Sequence, residues 1–209
     1  NHPNYSKKIA RKIYKIAKKI MDVVISSFGI VLMLPSFLLI AIAIRLDSSG
    51  PIFFMQKRCG KDGREFYMYK FRTMIKDAES FKENLKNDVE GPVFKLKNDP
   101  RITKVGRILR TWSLDELPQF LNILKGEMSL VGPRPLSKEE MTGDNNWKEI
   151  RLLVKPGMTG LWQINGRNNG KFNDWIKYDI EYVQRRSLLL DIKILFLTIN
   201  TVLGRKGAY

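Results

Sequence analysis

The stretch VVISSFGIVLMLPSFLLIAIAI, residues 23–44, contains 22 consecutive positions without a charged side chain. As an α-helix that rises about 1.5 Å per residue it would be roughly 33 Å long, which matches a bilayer's hydrocarbon core of about 30 Å. The run is too long for the apolar region of a signal peptide, and no small-residue cleavage site follows it. The stretch therefore predicts a membrane helix, and a single span is its simplest form.

Basic residues flank this apolar run on both sides. Those before it are Lys7, Lys8, Arg11, Lys12, Lys15, Lys18 and Lys19, and those after it include Arg45, Lys57, Arg58, Lys61 and Arg64. Because positive flanks favour the cytoplasmic side, two of them favour a helix that enters the bilayer, bends and returns. Pro35 lies near the middle, where its missing N–H and its ring disturb the helical hydrogen bonds. We expect a re-entrant membrane helix over residues 20–46, broken near Pro35, and an ordinary span remains the alternative.

The basic segment 1–19 carries a second membrane signal. Its apolar residues recur at roughly helical spacing and are Ile9, Ile13, Ile16 and Ala17, followed by Ile20. This pattern is typical of an amphipathic helix on a membrane surface, where anionic headgroups would contribute about 1 kcal/mol per Lys. We expect a basic juxtamembrane amphipathic helix here and a cytoplasmic domain at residues 47–209. A soluble juxtamembrane helix is the alternative.

The chain as a whole is strongly basic. Its 209 residues include 37 Lys and Arg against 21 Asp and Glu, a net charge of +16. A field of this sign attracts anionic partners, such as phosphorylated substrates, anionic lipid or nucleic acid. Cys59 is the only cysteine and His2 the only histidine, which excludes disulfide frameworks, Cys/His zinc sites and histidine-activated nucleophiles. Acid–base or covalent chemistry would therefore fall to carboxylates, Lys or Tyr.

Residues 47–209 indicate an α+β domain that is mainly helical. Two short β-like runs on either side of the CGKDG turn, residues 59–63, predict a hairpin or small sheet. Helical or polar patterns predict further elements. The predicted helices cover residues 75–90, 101–112, 113–135 and 178–203, and residues 91–100 are predicted to form a loop.

The segment SLDELPQ places Asp115 and Glu116 side by side. Adjacent side chains on a helix diverge, so the two carboxylates cannot act as a simple matched pair. Ser113 and Glu116 fit a helix-capping box, S-x-x-E, which would give Glu116 a structural role. That helix would carry Pro118 where a backbone donor is already needed. If the helix instead begins at Pro118, both carboxylates precede its positive end.

A stripe of basic side chains leads into this segment. Lys104, Arg107 and Arg110 recur every three residues before Asp115. A solvated charged face and a functional stripe are both consistent with this spacing.

Two further segments carry candidate binding residues. Pro133 and Pro135 enclose Arg134, and a guanidinium held this rigidly suits a phosphate, with a loop salt bridge as the alternative. KPGMTGLWQINGR, residues 155–167, predicts a glycine-rich turn. Its Trp162 would either stack on a base or pack in the core.

The motifs SLDELPQ, GPRP, KPGMTGLWQ and YDIEYV occur in this order, and on them the chain resembles the monotopic phosphoglycosyl transferases. These bacterial sugar transferases begin the assembly of capsule, exopolysaccharide or O-antigen glycans. The resemblance runs from about residue 20 to the C-terminus. The ending VLGRKGAY and the insert around residues 75–100 resemble the catalytic domain of the large members. Since the chain also begins with NHPN rather than Met, we expect further segments before it.

The resemblance implies transfer of a sugar phosphate from a UDP-sugar to polyprenyl (undecaprenyl) phosphate, with release of UMP, at the cytoplasmic face of the bacterial inner membrane. It makes Asp115 the nucleophile that forms a covalent phosphosugar intermediate, and it makes Glu116 the ligand of Mg²⁺. Pro35 corresponds to the proline at which the family's re-entrant helix breaks. The phosphate- and substrate-binding candidates implied by the resemblance are Lys70, Arg72, Arg110, Arg134 and Asp179.

Two alternative functions stay open at this point, one of which is a structural scaffold of polysaccharide machinery that would not depend on Asp115 and Glu116. A non-catalytic, basic, membrane-bound module that binds anionic lipid or nucleic acid would have the same charge and aromatic content. The resemblance leads us to expect no nucleic-acid partner. The motifs do not determine which sugar is transferred, the polyprenyl length or the oligomeric state, for which a homodimer is one alternative.

Overall fold

The computed structural model of the chain describes residues 2–81, 96, 98–141, 145–165 and 172–204. The described part contains seven α-helices and two small β-sheets. The prediction of a mainly helical protein with a small sheet is therefore confirmed.

The N-terminal helix α1 covers His2–Asp47, 46 residues, and includes both predicted membrane elements. At about 1.5 Å per residue it is roughly 69 Å long. Among the described residues it is the one helix that is long and apolar enough to cross a membrane by length and composition. The backbone stays helical on both sides of Pro35, so the expected break is not an interruption of the helix. The bend itself stays a prediction.

The predicted hairpin is confirmed. Strands β1 (Phe53–Cys59) and β2 (Glu65–Phe71) pair in antiparallel fashion along their whole length. They are joined by a 3₁₀ turn at Lys61–Gly63, in which Asp62 and Gly63 have positive φ. Glycine adopts this conformation at no steric cost, which explains the CGKDG turn signal. The hairpin carries Lys70 near the end of its second strand.

The segment after the hairpin differs from the prediction. Residues 76–81 form turns rather than a helix, and the rest of that predicted helix lies outside the described residues, as does most of the predicted loop at 91–100. Helix α2 then covers Lys104–Thr111, within the predicted range. The side chain of Thr103 caps it by accepting a hydrogen bond from the N–H of Gly106.

The single helix predicted over residues 113–135 is wrong, because this segment divides into three shorter elements. The first is a 3₁₀ turn at Leu114–Glu116 and the second is helix α3, Gln119–Leu124. Gly126 follows α3 with φ of +79°, a conformation typical of helix ends. The third element is strand β3, Ser129–Val131.

Strand β3 pairs in parallel with β4 (Gly157–Thr159), a pairing that the sequence did not predict. Beyond β3 the two backbones approach so closely that a Cβ atom on Gly157 would lie 2.0 Å from the backbone nitrogen of Gly132. No residue larger than glycine fits there without a backbone shift. The short helix α5, Leu161–Asn165, follows the strand directly.

Three more helices complete the described chain. Helix α4 covers Asn145–Leu152, α6 covers Phe172–Arg185 and α7 covers Leu188–Leu203. The predicted helical stretch 178–203 is thus two helices. The second begins after Ser187, whose side chain accepts a hydrogen bond from the N–H of Leu190. Serine is a favoured N-cap residue, so α6 ends before this position and α7 begins after it.

Buried apolar side chains join these elements in three clusters. The largest joins β2, α3, β3, α6 and α7 and includes Met68, Ile123, Leu130, Tyr182 and Ile194. A second joins α1, β2 and α2 through Ile44, Phe71 and Leu109. The third contains Leu136, Trp147 and Trp175, and Trp162 stacks on Trp175 with ring centroids 5.2 Å apart. Trp162 therefore packs in the core, as one of its two interpretations proposed.

Polar contacts fix α1 to the folded body formed by the other elements. The buried carboxylate of Asp22 accepts hydrogen bonds from the hydroxyl of Ser129 and the N–H of Leu130, both at 3.0 Å. At the far end of the helix, the carboxylate of Asp47 accepts a hydrogen bond from the N–H of Val105 at 2.9 Å. Both ends of the apolar run thus contact one folded body.

Asp191 of α7 is the centre of a further anchor. Its side chain is fully buried and lies 2.9 Å from the ammonium group of Lys18. It also accepts hydrogen bonds from the hydroxyl groups of Tyr14 at 3.0 Å and Tyr182 at 2.8 Å. The first and the last described helices are therefore joined by a buried ion pair.

The substitution Asp191→Ala should lower the free energy of unfolding by about 3 kcal/mol, because Lys18, Tyr14 and Tyr182 lose a shared carboxylate acceptor in a buried place. For a chain of this size the melting temperature should fall by about 6–12 °C in detergent micelles. The exposed Lys193→Ala on the same helix is the matched control and should change stability by less than about 0.5 kcal/mol. Equal changes in melting temperature for the two variants would contradict the stabilising role of Asp191.

Candidate active site

The two adjacent carboxylates, Asp115 and Glu116, lie in a short turn. Ser113 has a left-handed backbone, with φ of +55°, and its side chain makes no capping hydrogen bond to this turn. Helix α3 begins at Gln119, with Pro118 at the N-cap position. The capping-box interpretation is therefore wrong. The carboxylates precede the helix, as the alternative proposed.

Asp115 is a buried carboxylate, with only 8% of its surface exposed. Burial raises the pKa of Asp115 above its ordinary value, and the charge of Glu116 raises it further. The positive charges of Lys70 and Arg110 act in the opposite direction and favour the ionised form. A buried carboxylate with cations close by is a good candidate for a nucleophile.

Glu116 lies where three distant parts of the chain meet. The ammonium nitrogen of Lys70 is 2.8 Å from Oε1 of Glu116, and Nη1 of Arg134 is 3.9 Å from the same oxygen. All three side chains are partly exposed, so a ligand can reach them. The structure thus brings together three of the site residues that the sequence proposed.

Arg110 belongs to the same site from the side of α2. Its Nε donates a hydrogen bond to the hydroxyl of Thr73 at 2.9 Å, which orients the guanidinium group. Burial lowers the pKa of Arg110, and the charge of Asp115 is the largest influence that opposes this. The other members of the basic stripe, Lys104 and Arg107, are exposed. The stripe is therefore a solvated face except at Arg110.

Arg72 has contacts of a different kind. Its guanidinium group donates hydrogen bonds to the backbone carbonyls of Ser48, Ser49 and Pro51, at 2.6 to 2.8 Å. These bonds hold the turn between α1 and the hairpin. The assignment of Arg72 to phosphate binding stays a prediction, and its observed contacts are structural.

Asp179 of α6 is connected to the site through Arg151. Both side chains are buried, and Nε of Arg151 lies 3.2 Å from Oδ2 of Asp179. Arg151 also donates a hydrogen bond to the backbone carbonyl of Arg134. Burial raises the pKa of Asp179 to about 6, although the charge of Arg151 opposes the rise. These contacts make Asp179 a support of the Arg134 loop, and direct substrate contact stays a prediction.

A small open cavity lies beside Glu116. Its charged side is formed by Lys70, Glu116 and Arg134, and its apolar side by Met68, Pro135 and Met158. Gln119 and Gln163 also line it. Gln119, Met158 and Gln163, as well as Arg151, were not predicted as site residues from the sequence. Gln163 stands within the KPGMTGLWQ motif, which was the one signal that could have identified it.

The described carboxylates can be tested for a fit to Mg²⁺. Among the described residues no group of three or more His, Cys, Asp or Glu side chains could hold a metal ion by itself. Mg²⁺ commonly uses only one or two protein carboxylates and completes its shell with water and substrate phosphates. The carboxylate of Glu116, at the edge of an open cationic cavity, fits that mode of binding.

A buried carboxylate surrounded by cations, on a helical body with one long apolar helix, is an arrangement suited to phosphate chemistry. Residues 13–205 match the family described as bacterial sugar transferase. Because the match covers nearly the whole chain, the protein belongs to the bacterial sugar transferase family.

Several curated proteins are similar to this chain. The galactosyl transferase CpsE of Streptococcus agalactiae is 45% identical over 207 residues, which cover 98% of this chain and 46% of CpsE. The exopolysaccharide production protein ExoY of Sinorhizobium fredii is 42% identical over 205 residues, covering 95% of this chain and 91% of ExoY. The UDP-glucose:undecaprenyl-phosphate glucose-1-phosphate transferase of Xanthomonas campestris pv. campestris is 41% identical over 206 residues, covering 94% and 40%. The chain thus spans less than half of the first and third relatives.

Proposed function

We propose that this protein transfers a sugar-1-phosphate from a UDP-sugar to undecaprenyl phosphate and releases UMP. This reaction would initiate the synthesis of exopolysaccharide, capsule or O-antigen. Membership of the sugar transferase family and the names of its relatives support the proposal. The observation that carries it is the buried carboxylate of Asp115, kept close to the cations Lys70 and Arg110.

In the first step an oxygen of the Asp115 carboxylate attacks the phosphorus atom that carries the sugar. A new bond forms between that oxygen and phosphorus. The bond from phosphorus to the bridging oxygen breaks, and this oxygen leaves with its electron pair as part of UMP. The product is an acyl phosphate, in which the phosphosugar is attached to Asp115.

In the second step a phosphate oxygen of undecaprenyl phosphate attacks the same phosphorus atom. The bond from phosphorus to the Asp115 oxygen breaks, which regenerates the carboxylate and yields the sugar linked to undecaprenyl diphosphate. Each step exchanges one phosphorus–oxygen bond for another. The cycle therefore balances without an oxidant, a reductant or a second nucleotide.

The cationic side chains make both steps feasible. The reacting groups are all anionic, so they repel one another unless positive charge is fixed beside them. Arg110 is oriented by Thr73, and Arg134 lies between two prolines, so neither guanidinium must reorganise far to meet a phosphate. Glu116 would hold Mg²⁺, which supplies neutralisation of the diphosphate when bound.

We further infer that α1 enters the membrane and returns to the same side, with its bend near Pro35. A straight helix from Asp22 to Asp47 would be roughly 37 Å long, more than the hydrocarbon core of about 30 Å. These two residues nevertheless contact Leu130 and Val105, which belong to one folded body. A span would force parts of that body to opposite sides of the bilayer. The contacts therefore support a re-entrant helix.

The remaining membrane contacts would come from amphipathic surfaces at the lipid–water boundary. Apolar side chains of α1 and α7 are exposed in the described structure, among them Ile13, Ile20, Leu189, Phe196 and Leu203. The excess of Lys on residues 1–19 favours the anionic cytoplasmic leaflet. We propose the cytoplasmic face of the bacterial inner membrane as the location of the site.

With a UDP-sugar and Mg²⁺ but no lipid acceptor, the protein should release at most one UMP per chain and carry a phosphosugar on Asp115. The measurement is quantified UMP together with mass spectrometry of the acid-quenched protein, using UDP-glucose and UDP-galactose. Asp115→Asn should lower turnover by at least about 1,000-fold, because the amide is a poor nucleophile. Glu149→Gln, an exposed control on α4, should retain the wild-type rate. An adduct on another residue would contradict covalent catalysis by Asp115, and salt-sensitive lipid binding without turnover would favour the non-catalytic module.

Glu116→Gln should increase the Mg²⁺ concentration needed for half-maximal turnover by about 10-fold or more, since the amide is a weaker ligand for a hard cation. Titration of Mg²⁺ in the UMP-release assay, after removal of bound ions by a chelator, measures this shift. Glu149→Gln again serves as the control. An unchanged Mg²⁺ requirement at an unchanged rate would remove Glu116 from metal binding.

Cysteines placed at Lys8 and Lys57 should both react with a membrane-impermeant thiol reagent only from the cytoplasmic side. The two positions lie on either side of the apolar run, so a re-entrant helix leaves both on one face. The parent protein carries Cys59→Ala, which removes the native thiol. Labelling of the two positions from opposite sides would establish a span instead.

A further inference from the structure

The side-chain amide of Gln163 is unusual among the residues that line the cavity. Its Nε2 and Oε1 atoms are both buried and have no hydrogen-bond partner in the described part of the chain. A buried amide without partners is unfavourable, because it has lost its bonds to water without replacing them. The mechanism proposed above does not use Gln163. Its two unpaired atoms therefore need an explanation.

The position of this amide depends on neighbouring glycines. A Cβ atom on Gly160 would lie 3.0 Å from Oε1 of Gln163 and 2.2 Å from the carbonyl oxygen of Gly132. The missing side chain thus lets the amide lie over the start of α5 while the backbone stays packed against the loop that leads to Arg134. The amide is held on the same cavity as the phosphate-binding candidates.

The chemistry of an amide limits what it can bind here. Nε2 requires an acceptor and Oε1 requires a donor, so a single ligand group must offer both. An ionised phosphate offers only acceptors and would leave Oε1 unpaired. The imide edge of uracil presents the N3–H donor beside a carbonyl acceptor in one plane. A planar amide can pair with such an edge through two parallel hydrogen bonds.

The apolar side of the cavity favours a base over a sugar as this ligand. Met68, Pro135 and Met158 lie on that side. The flat faces of a pyrimidine can contact such side chains while only its edge needs hydrogen bonds. A hexose carries hydroxyl groups around its ring, and those that face the methionines and the proline would lose their water partners.

We infer that Gln163 recognises the imide edge of uracil in the nucleotide-sugar donor through two hydrogen bonds. The inference rests on the proposed function and deepens it, since it assigns the base subsite of the same cavity. Lys70 and Arg134 then face the phosphates, and Gln163 sets how far along the cavity the nucleotide lies. Gln163 is a base-contacting residue in this scheme and takes no part in bond making.

The test compares UMP with N3-methyl-UMP, which lacks the N3–H donor. Binding of each to the detergent-solubilised protein is measured by calorimetry. The wild type should bind UMP about 10- to 100-fold more tightly than N3-methyl-UMP, as expected for a bidentate pair. In Gln163→Met, which keeps the side-chain length, UMP should bind as weakly as N3-methyl-UMP. The exposed Gln184→Met on α6 is the matched control and should keep the wild-type ratio.

The variant Gln163→Glu separates the loss of a hydrogen-bond donor from a packing defect. It keeps the shape of the side chain but replaces the Nε2 donor with an oxygen. It should bind UMP at least 10-fold more weakly than the wild type does while its melting temperature stays near that of Gln184→Met. CMP is not used as the discriminating probe, since an amide that turns over can also pair with cytosine.

Three results would overturn the inference. The first is that the wild-type protein binds UMP and N3-methyl-UMP equally or binds neither. The second is that Gln163→Met keeps the wild-type ratio of the two affinities. The third is that a Gln163 variant keeps its UMP affinity while its preference between UDP-glucose and UDP-galactose shifts. The last result would assign Gln163 to the transferred sugar. The proposed function is judged separately by UMP release from UDP-sugars, so either idea can fail without the other.

Discussion

The attachment of a long apolar helix to one folded body by carboxylates near both ends of its apolar run is the constraint on which the rest of this structure depends. Asp22 binds the strand that leads to the Arg134 loop, and Asp47 binds the start of α2, which carries Arg110. The same helix is joined to α7 through Asp191. In the proposed membrane-bound protein, these anchors would determine how the active-site elements stand relative to the lipid surface. The proposed reaction, between a dissolved nucleotide-sugar and a lipid-bound phosphate, requires that fixed relation.

The second organising feature is the burial of the Asp115 carboxylate beside cations. Each cation near Asp115 has its own support, so positive charge is fixed in place before a ligand arrives. Lys70 is held by Glu116, and Arg110 is held by Thr73. The backbone of the Arg134 loop is held by Arg151, which in turn depends on Asp179. This preorganisation lowers the reorganisation that phosphoryl transfer would otherwise need.

The parts predicted from sequence were those with a strong local signal. The hairpin follows from alternation around a glycine turn, and α2 follows from helical periodicity. The parallel pair β3–β4 was missed because three-residue strands are too short to show alternation. The adjacent carboxylates and Arg134 lie in recognisable local motifs, whereas Arg151 is a single polar residue whose partners, Asp179 and the Arg134 carbonyl, are distant in sequence. Gln163 is likewise a single polar residue, and its amide has no partner in the described part of the chain that a local pattern could indicate. The capping box failed because the left-handed backbone at Ser113 turns the chain away from a helix, a conformation that no nearby pattern announced.

The close approach of Gly132 to Gly157 and Gly160 has a consequence for how this fold can diversify. A methyl group at any of these glycines would meet backbone atoms at 2.5 Å or less. It would drive apart the two segments that carry Arg134 and Gln163. Descendants with new ligand preferences must therefore vary side chains that line the cavity, such as Met158, while the three glycines keep the two segments at the same distance. In a directed-evolution library that randomised these three glycines, most variants would therefore be unfolded.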